Sequence, residues 1–74
     1  MKELKKVSND LFANYYEGEN GNLKVIAILD DHCVRYMVLK RKTTASPWKM
    51  TSRREYDDTK KAACLNNATK ALNK

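Results

Sequence analysis

The sequence predicts one small α+β domain: a three-stranded antiparallel sheet packed by a C-terminal amphipathic helix, with a further helix at the N-terminus, in the order α-β-β-β-α. Three observations carry this. Leu23–Leu29 (LKVIAIL) is a run rich in β-branched residues that follows the turn pair Asn20-Gly21. After Asp30-Asp31, a second run alternates Val34, Tyr36 and Val38 against Arg35, Met37 and Leu39. Finally, KKAACLNNATKAL places Cys64, Leu65, Ala68, Ala71 and Leu72 on one helical stripe.

Taken in order, Leu4, Val7, Leu11 and Tyr15 recur at helical spacing and predict a helix from Lys2 to about Ala13, although Ser8-Asn9-Asp10 are poor helix formers. The alternative is that FANYYE pairs with the first strand across the EGENGN turn. In the hairpin that follows, Arg35 and Arg41 mark the outward face, so Val34, Tyr36 and Val38 point to the core. Pro47 cannot donate to a ladder and suits a strand's first position or an edge, and WKMTSRREY continues from it as the third strand. Asp57 or Asp58 offers an N-cap for the last helix. Small residues at 64, 68 and 71 let that helix lie close to the sheet.

A chain of 74 residues holds a single domain, residues 1–74, with a thin core. Its longest unbroken apolar run, Val25–Leu29, is far below the roughly 20 residues that span a bilayer. No secretory leader is evident behind Lys2, Lys5 and Lys6, so a cytoplasmic setting is expected, a host's cytoplasm if the gene is viral. Cys33 and Cys64 are then expected as reduced, buried thiols.

Catalytic chemistry is poorly supplied. His32 and Cys33 are adjacent on a strand start and point to opposite faces, so they do not converge as a base and nucleophile. Asp30, Asp31 and His32 cluster at one turn without zinc spacing. Asp30-Asp31 and Asp57-Asp58 suit turns and caps. No enzyme activity, metal, cofactor or small-molecule substrate is expected.

The charge is uneven. Lys40–Arg54, KRKTTASPWKMTSRR, holds six basic residues and no acidic one, and the nine basic residues elsewhere are matched by nine acidic ones. The formal net charge of +6 therefore resides in this stretch. Such a run commonly serves only to solvate a small domain. On adjacent strands, however, Arg35, Arg41, Lys49 and Arg53 would form one outward patch with Lys40, Lys42 and Arg54 at its margins, suited to a phosphate backbone. Trp48 is either a core residue of the third strand or, exposed beside Pro47, a stacking platform or interface anchor.

The order helix, three strands, helix resembles that of double-stranded-RNA-binding domains, whose last helix opens with lysines that meet phosphates. Lys60 and Lys61 are the matching cations, but the Gly and Ser that precede the family's lysines are absent here. A three-stranded sheet with one C-terminal helix is also similar to the arm-binding domains of phage integrases, and this likeness implies a sheet set into a DNA groove. The expected function is non-enzymatic nucleic-acid binding with little sequence preference through Arg35, Lys40, Arg41, Lys42, Trp48, Lys49, Arg53, Arg54, Lys60 and Lys61. The alternative is a small phage-type accessory protein that uses the same patch to inhibit or modulate a host protein with an acidic surface. The chain is expected to be monomeric, since its charge opposes self-pairing, although weak dimerisation through an edge strand is a further possibility.

Overall fold

A computed structural model describes residues 2–7 and 14–74. Among the described residues the sheet has five strands, not three: β1 (Lys5–Lys6), β2 (Tyr15–Asn20), β3 (Leu23–Leu29), β4 (Val34–Lys40) and β5 (Lys49–Tyr56), followed by α1 (Lys61–Leu72). They form an antiparallel meander in sequence order.

The two added strands replace the expected N-terminal helix. Lys2–Val7 is not helical, and the remainder of that expectation, residues 8–13, lies outside the described residues. The reason is local. Gly21 takes φ 65°, which the tight β2–β3 turn requires, and Tyr15–Asn20 then pairs along its whole length with β3. Helical spacing of a few apolar residues loses to this ladder of backbone bonds beside a strand already rich in β-branched residues. The β2 ladder in turn templates Lys5 opposite Glu17, an opposite-charge cross-strand pair, and Val7 N–H donates to the Tyr15 carbonyl at 2.9 Å.

Strand alternation gives the sheet two unlike faces. Toward the helix point Tyr16 and Gly18 of β2, Val25, Ala27 and Leu29 of β3, Val34, Tyr36 and Val38 of β4, and Tyr56 of β5, as their cross-strand pairing dictates. The hairpin reading for Val34, Tyr36 and Val38 thus agrees with the core. α1 lies across β2, β3 and β4, with Cys64, Ala68 and Leu72 fully buried against them. The other face carries Tyr15, Ile26, Met37 and Leu39 among charged residues, and no secondary-structure element among the described residues packs on it.

Neither aspartate caps the helix. Lys60 occupies the N-cap without a side-chain bond, and the Asp57 carboxylate accepts from Thr59 N–H at 3.1 Å and Thr59 Oγ1 at 3.2 Å. Those bonds hold its pKa below the usual carboxylate value and close an Asp-type turn just ahead of the helix. The C-terminal end is better satisfied. Asn73 N–H donates to the Lys70 carbonyl, Asn73 Nδ2 to the Thr69 carbonyl and Asn20 Nδ2 to the Leu72 carbonyl. No helix among the described residues is long and apolar enough to cross a membrane.

At Gly18 the end of the helix lies close on the sheet. A Cβ there would stand 2.6 Å from Leu72 Cδ2, 3.0 Å from Leu4 Cδ2 and 3.1 Å from the Glu3 carbonyl oxygen. Gly18→Ala is therefore expected to destabilise the fold by about 1–3 kcal/mol through overpacking, against the few tenths it would gain in an open strand. Urea unfolding reads this as a lower midpoint, and an unchanged or raised midpoint would contradict the packing described.

Candidate nucleic-acid interface

β5 is an edge strand on which every residue from Lys49 to Glu55 is exposed. Its register contains a bulge. Ser52 pairs with Val38, but Leu39 pairs with Met50 rather than Thr51, and Lys40 with Lys49. Thr51 is the extra residue, and its Oγ1 donates to the Val38 carbonyl at 3.2 Å. The bulge reverses the parity of the strand's first half. Met50, 56% exposed, joins Met37, Leu39 and Arg53 on the open face, while Lys49 joins Lys40, Ser52 and Arg54 on the helix side.

The expected single outward patch is thereby divided. Arg35 and Arg53 lie on the open face and share Glu55, at 3.9 Å and 3.7 Å. The Arg35 Nε is buried and has no partner among the described residues. Lys40, Lys49 and Arg54 lie on the helix side, beyond the strip that α1 covers, with the Arg54 guanidinium 5.2 Å from the Tyr56 ring centroid. Lys42 is exposed in the β4–β5 loop. Lys60 sits at the helix N-cap, and Lys61 is bound to Asp31 at 2.9 Å, which raises the lysine pKa and lowers that of the aspartate. With no N-terminal helix among the described residues and Lys61 so engaged, the topological likeness to double-stranded-RNA-binding domains lapses, and the five-stranded sheet removes the three-stranded likeness to integrase arm-binding domains.

Arg41 is the organising residue at the hairpin ends. Its backbone N–H donates to the Asn22 carbonyl at 3.1 Å, its Nε to Asn22 Oδ1 at 3.3 Å and one terminal nitrogen to the Gly21 carbonyl at 3.4 Å. Asn22 Nδ2 completes the stitch by donating to the Lys42 carbonyl at 3.3 Å. The β2–β3 turn and the β4–β5 loop are thus tied together. Trp48 is placed by the same cluster. The Arg41 guanidinium carbon stands 4.2 Å from its ring centroid and Lys24 Nζ 5.5 Å. Trp48 is half-buried and belongs to neither core cluster, so the core reading of this residue gives way to a position at the sheet margin.

Lys24 was not distinguished by the sequence, since it lies outside the basic stretch. Its alternation with Val25 places it on the open face, where Glu17 at 2.6 Å and Glu19 at 3.6 Å hold it, the Glu17 bond chiefly raising its pKa. Among the described residues Lys40, Arg41, Lys42, Lys49 and Arg54 have no carboxylate within ion-pair distance. Those five cations surround the β4–β5 hairpin end and the adjoining part of β5.

The remaining reactive groups lie at the opposite end of β4. His32 is exposed and Cys33 half-buried in the β3–β4 turn, and Cys64 is buried beneath the helix. Burial, and to a smaller degree the Cys33 thiol, pushes the Cys64 pKa up to about 11. Both cysteines are free. Among the described residues no three His, Cys, Asp or Glu side chains are grouped to hold a metal ion. Comparison with known protein families, with curated proteins and with solved structures finds no match to this chain.

Two expectations follow. Trp48 is the chain's single tryptophan, so Arg41→Ala should red-shift its emission and speed acrylamide quenching while costing about 0.5–1.5 kcal/mol of stability from the lost bonds. An unmoved spectrum would show that the guanidinium does not shield the ring. Iodoacetamide at pH 8 should modify Cys33 in the folded protein and Cys64 only after unfolding, because the buried thiol stays protonated. Equal labelling rates, read by intact mass, would contradict that burial.

Proposed function

We propose that the chain is a non-enzymatic nucleic-acid-binding protein that grips the sugar-phosphate backbone with little sequence preference, acting as a monomer in a cytoplasmic setting. The observation that carries this reading is the group of five cations at the β4–β5 end, none of them neutralised by a carboxylate of the described residues. Side chains so placed attract polyanions over a Debye length and gain from counterion release on phosphate contact. Arg41, already ordered by Asn22 and Gly21, loses little entropy on binding. The charged, Pro-led edge of β5 opposes self-pairing.

The second reading, a phage-type accessory protein acting on a host protein, rests on a different observation. Exposed Met50 stands next to half-buried Met37 and Leu39 on the open face, and an exposed apolar group in such company beside a Trp and arginines is common at protein interfaces. Met50→Glu separates the two readings, since it would weaken a protein contact on that face while leaving the five cations in place.

Fluorescence anisotropy with labelled DNA and RNA across a salt series tests the first reading. If three to five phosphates are engaged on a duplex, the log–log slope should be about −3 to −4.5. Lys49→Glu combined with Arg54→Glu should lower affinity by at least about tenfold, with thermal stability moved by about 0.5 kcal/mol or less. Absence of binding to every nucleic acid at low salt would remove the proposal.

A further inference from the structure

Resting on that reading, we propose that the cleft between the C-terminal end of α1 and the β4–β5 pair seats one unit of a single nucleic-acid strand. The phosphate lies at Lys40 and Arg41, and the base rests on the apolar floor. The cleft has a volume of about 510 Å³, and Leu23, Tyr36, Val38 and Ala71 contribute its apolar surface. Among the described residues no carboxylate side chain lines it.

The donors left over by the fold decide what this cleft takes. Asn22 and Asn20 are consumed by Lys42, Arg41 and the helix end, and Thr51 Oγ1 by the Val38 carbonyl. The Lys40 ammonium, the second terminal nitrogen of Arg41 and the Ser52 hydroxyl make no hydrogen bond within the described residues. Three cations, with Lys74 beside Lys40 and Arg41, and a hydroxyl around an apolar floor fit a phosphate joined to a flat heterocycle, not a neutral apolar ligand. The negative end of the α1 dipole would oppose an anion there, but the carbonyls of Thr69, Lys70 and Leu72 are all capped, which reduces that opposition.

A second concavity of about 360 Å³ adjoins the first, and the two share Lys40, Arg41 and Thr51 as a common wall. Lys42 and Lys49 line its far side. A flexible strand crossing Lys40 therefore meets cations in both hollows in succession. A duplex keeps its base faces stacked and would touch only the rims, so the site favours a single strand.

The test compares the octamers dT8 and U8 with a 16-bp duplex, by anisotropy at fixed salt, for the unmutated chain and for Ser52→Ile with Ala71→Leu. This double variant fills the cleft without altering charge or adding a ring that could stack. Binding of dT8 or U8 at least as tight as the duplex, reduced about tenfold or more in the double variant, is the expected result, and the tighter octamer identifies the sugar. Lys40→Gln, which leaves the packing untouched, should give a loss of the same order and covers the case in which the double variant fails to show a native circular-dichroism spectrum. Octamer binding unchanged in both variants would overturn the cleft while leaving the surface reading intact, as would binding of the duplex alone. No binding of any probe would remove both.

Discussion

A single helix cannot roof a five-stranded sheet, and that mismatch governs this molecule. Five strands span about 19 Å at the usual spacing, whereas a helix with its side chains is about 10–12 Å across. α1 is seated over β2–β4 because that is where the small residues Cys64 and Ala68 meet Val25, Ala27, Val34 and Val38, and where Gly18 lets Leu72 descend onto the sheet. Both core clusters of the described residues lie under this strip, and on the opposite face Ile28 alone is buried. β5, exposed from Lys49 to Glu55, must be compatible with water or with a partner.

The charge distribution follows from that geometry. Four cations are held by carboxylates: Glu17 and Glu19 hold Lys24, Glu55 bridges Arg35 and Arg53, and Asp31 holds Lys61. At Lys40, Arg41 and Lys42, and at Lys49 and Arg54 of β5, no carboxylate of the described residues lies within ion-pair distance. Surface ion pairs of this exposure add little to stability, so their chief effect is to determine which cations stay free to meet an outside anion. The two clefts that share Lys40 and Arg41 lie where α1 gives out and the hairpin continues alone.

Much of the fold was legible where a period was sustained. The strands at Leu23–Leu29 and Val34–Lys40, their inward set and the helical stripe at Cys64, Ala68 and Leu72 all follow from alternation or 3.6-residue spacing. The N-terminal segment was misread because four apolar residues at helical spacing weighed more than Asn20-Gly21, although that pair supplies the positive φ on which the β2–β3 hairpin turns. The helix start was misplaced since Asp57 satisfies Thr59 instead of α1. For the site, composition identified the basic stretch but not its partition: no local pattern announces a one-residue bulge, and the carboxylate that occupies Arg35 and Arg53 is brought there only by the β4–β5 pairing. Asn22 and Lys24 were missed because they act on Arg41 and Trp48 across strands distant in sequence.

The bulge at Thr51 also bears on how this surface can diverge. Thr51 is the one residue of β5 that β4 does not match, so its deletion would leave an uninterrupted ladder in which Met50 still opposes Leu39 and Lys49 still opposes Lys40. Ironing out the bulge at constant length would instead set Thr51 opposite Leu39 and Met50 opposite Lys40, carrying an apolar group into the cationic side and Lys49 onto the apolar one, while Ser52–Tyr56 keep their partners. Substitutions that favour or disfavour the bulge, rather than changes of length, are thus the route by which this margin could alter what it recognises.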